Sequence, residues 1–230
     1  MRLSFLIDNK DNRKSSMRIF FYPNLDAMTA SEFITRIQSP KDDLVLADSM
    51  MPWYRKLVKP SAQTLKNANK AAVLVHVCQG PEGLEVLFMK RPAYDGTHGG
   101  QVSFPGGKRE DTDINFEHTA IREAQEEVGL DSSMFEIVKN MEPLYIPPSN
   151  FLVYPFVSFA KQKHELILEE KEVAYTFSVP LTKILSGELM DSVKVPTKIG
   201  RMKVPAYLWE DEVIWGATAI ITARLVALLS

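Results

Sequence analysis

Five of the chain's eleven glycines, Gly96, Gly99, Gly100, Gly106 and Gly107, fall between residues 91 and 107. That density means a backbone held in conformations closed to other residues, or brought close to a ligand. The strongest helix signal follows at once. Over 116–128, Ile121, Ala124 and Val128 recur at i, i+3 and i+7, and Gly129 supplies a C-terminal stop. Strand signals lie on both sides of this loop and helix.

Ala71 to Cys78 and Leu84 to Lys90 are apolar runs joined by Gln79-Gly80-Pro81-Glu82-Gly83, which predicts a hairpin with a loop. Further strands are expected at 133–146, 151–159 and 173–179, extended chain at 204–209, a short helix at 181–186 and a longer one at 216–229. Strands and helices do not alternate as βαβ units, so the fold class is α+β, a mixed sheet flanked by helices. Residues 29–37 predict another helix. Thr29 caps it, Glu32 completes a capping box, Phe33, Ile34 and Ile37 are apolar, and Pro40 ends it. Residues 41–69, interrupted by Pro52 and Pro60, show no second core. The expected organisation is an N-terminal extension over 1–69 and one domain over 70–230. Residues 8–16 are polar and aperiodic, and Met17 opens a more globular stretch, so Met17 is an expected natural start.

The formal net charge is -2, which leaves no basic footprint for nucleic acid. Leu3 to Ile7 is too short for a secretory core. Val213 to Ala223 falls short of the about 20 residues a spanning helix needs. The single cysteine, Cys78, sits in an apolar strand and reads as a core residue, which fits a reducing compartment. A soluble, cytoplasmic protein with no membrane or nucleic-acid partner is expected. Apolar patches in the N-terminal extension allow a homodimer.

On a helix over 116–128, Glu123, Glu126 and Glu127 occupy i, i+3 and i+4 and project from one face, opposite the apolar stripe. Clustered carboxylates repel unless a cation sits among them, and hard divalent ions such as Mg²⁺ or Mn²⁺ take oxygen ligands. The bland alternative is a solvated face with an exposed Arg122–Glu126 pair, and for the helix alone the two readings weigh equally. The preceding Gly106-Gly107 pair shifts the balance toward a phosphate or metal site.

The segment resembles the Nudix hydrolase family. The family box reads Gly-x5-Glu-x7-Arg-Glu-(apolar)-x-Glu-Glu-x-Gly-(apolar), and Gly107, Arg122, Glu123, Ala124, Glu126, Glu127, Gly129 and Leu130 match it. Two departures occur: the first Glu is Asp113, and eight residues rather than seven separate it from Arg122. That longer spacing resembles the coenzyme A diphosphatase branch. So do Arg91, His98, Gly100-Gln101-Val102, Phe104-Pro105-Gly106-Gly107, Thr119-Ala120, Pro148-Ser149-Asn150-Phe151, Glu172-Val173 and Trp215-Gly216. The resemblance covers about residues 70 to 230.

The resemblance implies a Nudix fold, a mixed sheet sandwiched between helices, and hydrolysis of a diphosphate in a small nucleotide substrate with Mg²⁺ or Mn²⁺. It makes Glu123, Glu126 and Glu127, with the Gly107 carbonyl, the expected metal ligands, and Arg122 a brace for a ligand glutamate. The general base comes from the box or a later loop. Glu172 is the candidate there, against the reading of Glu169-Glu170-Lys171-Glu172 as a solvated charge run. Arg91, Lys108 and Arg109 lie within reach of a substrate phosphate, and His98 either touches substrate or braces the loop. The expected substrate is coenzyme A or a derivative. The alternatives are ADP-ribose or another nucleoside diphosphate derivative and, outside enzymes, a nucleotide-sensing module. Among the remaining residues, His76 reads as a satisfied core histidine, His118 and His164 as surface, Trp215 and Phe151 as core aromatics, and Tyr145 and Tyr154 as packing residues rather than base-stacking platforms.

Overall fold

The computed structural model describes residues 28–39, 50–51, 59–93, 99–197 and 200–230. Residues 3–7 and 8–16, Met17, Pro40, Pro52, Gly96 and His98 lie outside them. In chain order the elements are α1 (Ala30–Gln38), α2 (Ala62–Asn67), β1 (Asn69–Gly80), β2 (Gly83–Lys90), β3 (Val102–Ser103), β4 (Gly106–Lys108), α3 (Phe116–Val128), β5 (Glu136–Asn140), β6 (Leu144–Ile146), β7 (Phe151–Ala160), β8 (Tyr175–Pro180), α4 (Leu181–Ser186), β9 (Met190–Thr197), β10 (Gly200–Trp209), β11 (Glu212–Trp215) and α5 (Gly216–Leu229).

β1 organises the larger sheet. It runs parallel to β7 from Asn69↔Phe151 to Cys78↔Ala160. Its other edge is shared: Val77 to Gly80 pair antiparallel with β2, and Ala71 to Val73 with β4. β3 and β8 extend the sheet from β2, and β5 and β6 from β7. The sheet is mixed, as the sequence predicts.

Side chains alternate across it. Val75 and Val77 of β1 and Val86 and Phe88 of β2 face one core, while Leu74, Leu87 and Met89 face another. α3 covers the second face through Ala120, Ala124 and Val128. α1 and α5 cover the first, so the sheet lies between helices. α5 is apolar on almost every side and correspondingly buried along most of its length.

The predicted capping box on α1 forms: the Thr29 N–H donates to Glu32 Oε2 at 2.9 Å, and the Glu32 N–H to Thr29 Oγ1 at 3.2 Å. Phe33 and Ile37 are fully buried in the chain's own core, and Arg36 donates to the Leu229 carbonyl at 3.1 Å. The apolar residues of this helix that allow a dimer therefore face inward.

Several elements differ from expectation. The strand expected over 133–146 splits into a 3-10 turn at Ser132–Met134, β5 and β6. Pro143, which has no N–H to give a ladder, lies in the break. α2 is too short to show a periodicity, but Ser61 caps it by accepting from the Thr64 N–H. β9 and β11 were not expected; with β10 they form a separate three-stranded antiparallel sheet. Pro196 hides β9, because proline inside a run argues against a strand, whereas the extended chain expected at 204–209 lies within β10 despite Pro205.

Gly106 has φ +150, and a Cβ there would overlap the Ala72 carbonyl and Val73 of β1. Gly83 has φ +130 with open space around it. Gly106→Ala should therefore cost about 3 kcal/mol or more, and Gly83→Ala only the backbone strain of about 1 kcal/mol. Chemical denaturation of the two variants checks this, and equal losses would contradict the packing argument.

Candidate functional site

The site is anchored by a carboxylate that carries many bonds. Asp113 is 2% exposed and accepts from Arg122 Nε at 2.9 Å, Arg122 Nη2 at 3.0 Å, the Glu110 N–H at 2.9 Å and Thr119 Oγ1 at 2.9 Å. His118 Nδ1 adds a contact at 3.0 Å from an otherwise exposed ring. The Arg122 guanidinium holds the Asp113 carboxyl well below the usual carboxylate range, although burial opposes this. The two departures from the family box thus meet at one feature. The shorter Asp side chain, one residue further from Arg122, reaches it bidentately.

Arg122 uses the rest of its planar fork on the same helix and loop. It contacts Glu126 at 2.8 Å, Glu123 at 3.1 Å and the Lys108 carbonyl at 3.3 Å. The Asn115 side chain caps α3 by accepting from the His118 N–H at 2.8 Å, and Gly129, at φ 70, ends it as predicted.

The glutamates do not share a solvated face. At about 100° per residue, Glu127 falls between Ala120 and Glu123, in the middle of the buried arc. Glu127 is 2% exposed, Glu123 is half-buried and Glu126 is exposed. The three carboxylates fan from the core to the rim. The apolar stripe is correspondingly rotated: Ala120 replaces Ile121, which is only half-buried.

Glu127 reaches into the glycine loop. The Gly106 N–H donates to its Oε2 at 2.7 Å, and Arg91 Nη2 lies 3.3 Å from its Oε1. A Cβ on Gly107 would overlap the Glu123 carboxylate. Each glycine therefore has its own cause, Gly106 against β1 and Gly107 against Glu123. Burial pushes the Glu127 carboxyl up to about 7, against the Gly106 N–H and Arg91, with the charges of Glu123 and Glu172 adding to the rise. Burial also raises Glu123.

Those shared electrostatics test the fit to a metal. Glu123, Glu127 and Glu172 feel one another's charge, and the donor set is all oxygen, as a hard divalent cation requires. Among the described residues, however, no three His, Cys, Asp or Glu side chains stand together as a ready-made cage. Glu126 faces Arg122 at the rim, and Glu127 is held by Gly106 and Arg91. The residues fit a cation that completes its shell with water and substrate oxygens.

Glu172 belongs to a loop pinned to the end of α3. The Ile167 N–H donates to the Val128 carbonyl at 3.2 Å, the Glu169 N–H to the Glu127 carbonyl at 2.9 Å, and the Ala174 N–H to the Lys90 carbonyl at 2.8 Å. Glu172 itself is exposed, with Val173 buried behind it.

The expected phosphate-binding cations separate. Arg91 is engaged by Glu127. Arg109 lies over the Phe116 ring at 5.1 Å and donates to the Asp113 carbonyl at 3.1 Å. Lys108 is exposed and makes no ion pair among the described residues. His98 is outside them.

Tyr154 stacks on Phe116 with centroids 3.7 Å apart, so it packs. His76 is a satisfied core histidine, 2.9 Å from Ser158 Oγ, and burial pushes it down to about 4. Cys78 is buried and raised to about 11 by that burial. His164 is not a surface residue as expected. It is half-buried, and its Nδ1 has no hydrogen-bond partner among the described residues. Sequence reasoning did not anticipate the bond from the Gly106 N–H to Glu127, or the saturation of Asp113. A short carboxylate displaced by one residue from the family position was the available signal for the latter.

The sequence pattern of the NUDIX domain matches residues 68–194. An uncharacterized Nudix hydrolase NudL of Yersinia pestis (strain Pestoides F) is 32% identical over 197 residues, covering 85% of this chain and 92% of that protein. The mitochondrial Nudix hydrolase 15 of Arabidopsis thaliana is 34% identical over 162 residues, 67% of this chain, and the match spans only 56% of the plant protein. A solved Nudix hydrolase from M. smegmatis, RenU, aligns with a TM-score of 0.43 and 22% identity over 50% of this chain and 73% of that one. Among the described residues, no helix is long and apolar enough to cross a membrane.

Asp113→Asn removes the anionic partner from a guanidinium that is itself only 17% exposed. A loss of about 3 kcal/mol is expected at neutral pH. Because the folded-state value is depressed, Asp113 stabilises the fold above its unfolded pKa of about 3.9, and that contribution is lost as the pH falls through the lower folded value. Denaturation at several pH values should show the gap between parent and variant constant above about pH 5 and closing in acid.

Proposed function

Since the chain belongs to the Nudix hydrolase family, we propose that it hydrolyses the diphosphate linkage of a nucleoside diphosphate derivative, with coenzyme A or its derivatives as substrate and phosphopantetheine and adenosine bisphosphate as products. The observation that carries the reading is the placement of Glu123 and Glu127 against the Gly106–Gly107 backbone, on a helix fixed by Arg122 and Asp113. The catalytic unit in this reading is 70–230, with α1 laid across it. The setting is cytoplasmic; the Arabidopsis relative is designated mitochondrial.

Glu123 and Glu127, with the Gly107 carbonyl, would hold Mg²⁺ or Mn²⁺, and Glu126 would serve from the rim. When bound, such an ion neutralises diphosphate oxygens and lowers the pKa of water. Arg122 keeps Glu123 and Glu126 in place. Glu172, whose charge reaches both inner glutamates, takes the proton of the attacking water. Arg91 steadies Glu127 and lies beside the path of a phosphate.

Coenzyme A differs from ADP-ribose by a ribose phosphate and the pantetheine arm, so selecting it calls for an extra cation. Of Arg91, Lys108 and Arg109, Lys108 is the one without an ion pair, a hydrogen-bond partner for its ammonium or a ring contact among the described residues. It is assigned to that phosphate.

Two measurements test this. Coenzyme A, dephospho-coenzyme A and ADP-ribose are assayed with Mg²⁺ and Mn²⁺, with products identified by mass. Activity should vanish with a chelator and return with the ions, coenzyme A should have the highest kcat/KM, and Lys108→Ala should narrow its lead. A preference for ADP-ribose would sink the coenzyme A assignment and leave the diphosphatase chemistry standing.

Glu127→Gln should lower kcat by about a hundredfold or more at little cost in stability, because burial already opposes the charged form of this carboxyl. Glu117→Gln, in the first turn of α3, should do much less. Equal effects would mean that the helix charges act through folding.

A further inference from the structure

Lys90 and Tyr175 are directly opposed at one end of the β2–β8 ladder. Both reach the same carboxylate. Lys90 Nζ lies 2.6 Å from Glu212 Oε2, and the Tyr175 hydroxyl donates to Glu212 Oε1. The Lys90 and Glu212 side chains are 24% and 12% exposed, so this pair is shielded from water far more than an ordinary surface bridge. Against burial, which pushes it up, Lys90 and Tyr175 hold the Glu212 carboxyl below its ordinary value.

Glu212 opens β11, outside the matched region 68–194. It follows a two-residue turn in which Glu210 takes the left-handed conformation at φ 52. Such a conformation is strained for a residue with a side chain and persists where surrounding contacts impose it. Behind the turn, Tyr207 and Ile214 are buried, and Thr218 of α5 donates to the Val102 carbonyl of β3 at 3.0 Å. The carboxylate is therefore presented from a fixed base.

The two strand ends it joins lead into the site. One residue beyond Lys90 is Arg91, which holds Glu127. Ala174, just before Tyr175, donates its N–H to the Lys90 carbonyl, and Glu172 lies two residues earlier. We propose that Glu212 is a positioning residue: by clamping Lys90 to Tyr175 it sets Arg91 and the Glu172 loop relative to the glutamates of α3. This rests on the diphosphatase reading above, to which it adds an element supplied by the C-terminal sheet.

The test compares the full-length parent with Glu212→Ala, Glu212→Gln and Glu188→Ala. Glu188→Ala removes the Lys183–Glu188 bridge of 2.7 Å far along the chain from the site. Hydrogen exchange reads the clamp without any substrate. In Glu212→Ala, protection of the Ala174 amide should fall at least about tenfold while the α3 amides keep theirs. Kinetics, on whichever of coenzyme A and ADP-ribose the parent cleaves faster, are normalised to folded protein. kcat should fall about ten- to a hundredfold with KM within about threefold, since misplacement acts on the reacting geometry. Glu212→Gln, which keeps a carbonyl oxygen to accept from Lys90 and gains an amide N–H that can donate to the Tyr175 hydroxyl oxygen, should recover most of the loss, and Glu188→Ala should match the parent. Unchanged exchange at Ala174, a uniform loss of protection across the fold, or an unchanged kcat would overturn the proposal. A parent that cleaves no diphosphate overturns the functional reading instead, and the exchange arm still decides whether Glu212 ties the strands together.

Discussion

Everything in the site hangs on the bidentate pairing of Arg122 with a buried Asp113. Alone, a buried ion pair barely offsets the cost of taking its charges out of water. Here the cost is met by completeness. The carboxylate also takes the Glu110 N–H and the Thr119 hydroxyl, and the guanidinium also serves Glu123, Glu126 and the Lys108 carbonyl. The pair consequently locks the loop between β4 and α3 to the helix. Lysine, with a single compact ammonium, offers no fork of this kind.

From that lock follows the depth of the carboxylates. Because α3 is packed on β1 and β4 with Ala120 and Ala124 against the sheet, Glu127 is carried inward, where the Gly106 N–H and Arg91 are the groups that meet it. The small side chains are a requirement of the geometry. A Cβ at Gly106 would strike the backbone of β1, so loop and strand reach this distance only with glycine there, and a Cβ at Gly107 would displace the Glu123 carboxylate. Burial then raises the carboxyl pKa values, as it does for any carboxyl withdrawn from water.

How much of this the sequence carries depends on how local the cause is. The span of α3 was legible because its periodicity and Gly129 stop are written within a few positions. The capping box of α1 was legible for the same reason. The rotation of α3 was not, since alanine at 120 and isoleucine at 121 are both apolar and only the sheet decides which faces in. The solvated-face alternative for the glutamates fails for Glu127 on the same ground and survives for Glu126. In the C-terminal sheet β9 was hidden by Pro196, while the part of β10 over 204–209 was legible despite Pro205. Arg109 could be expected near the box, but not that Phe116 and the Asp113 carbonyl would claim it.

The distribution of labour along the chain follows from those same contacts. The glutamates, the glycine pair and their arginine brace are contributed by one continuous stretch, β4 to α3, whose geometry is nearly self-contained. Glu172 comes from a loop that reaches α3 through backbone bonds to the Glu127 and Val128 carbonyls. Arg91 comes from the end of a strand. Neither is fixed by the helix alone, because a backbone bond sets where a loop runs and leaves its side chains free to turn. Their alignment requires a contact made from outside the stretch, at the place where β2 and β8 end together. A half-buried carboxylate that accepts from both ends meets that requirement, and in this chain the C-terminal sheet is the element placed to deliver one.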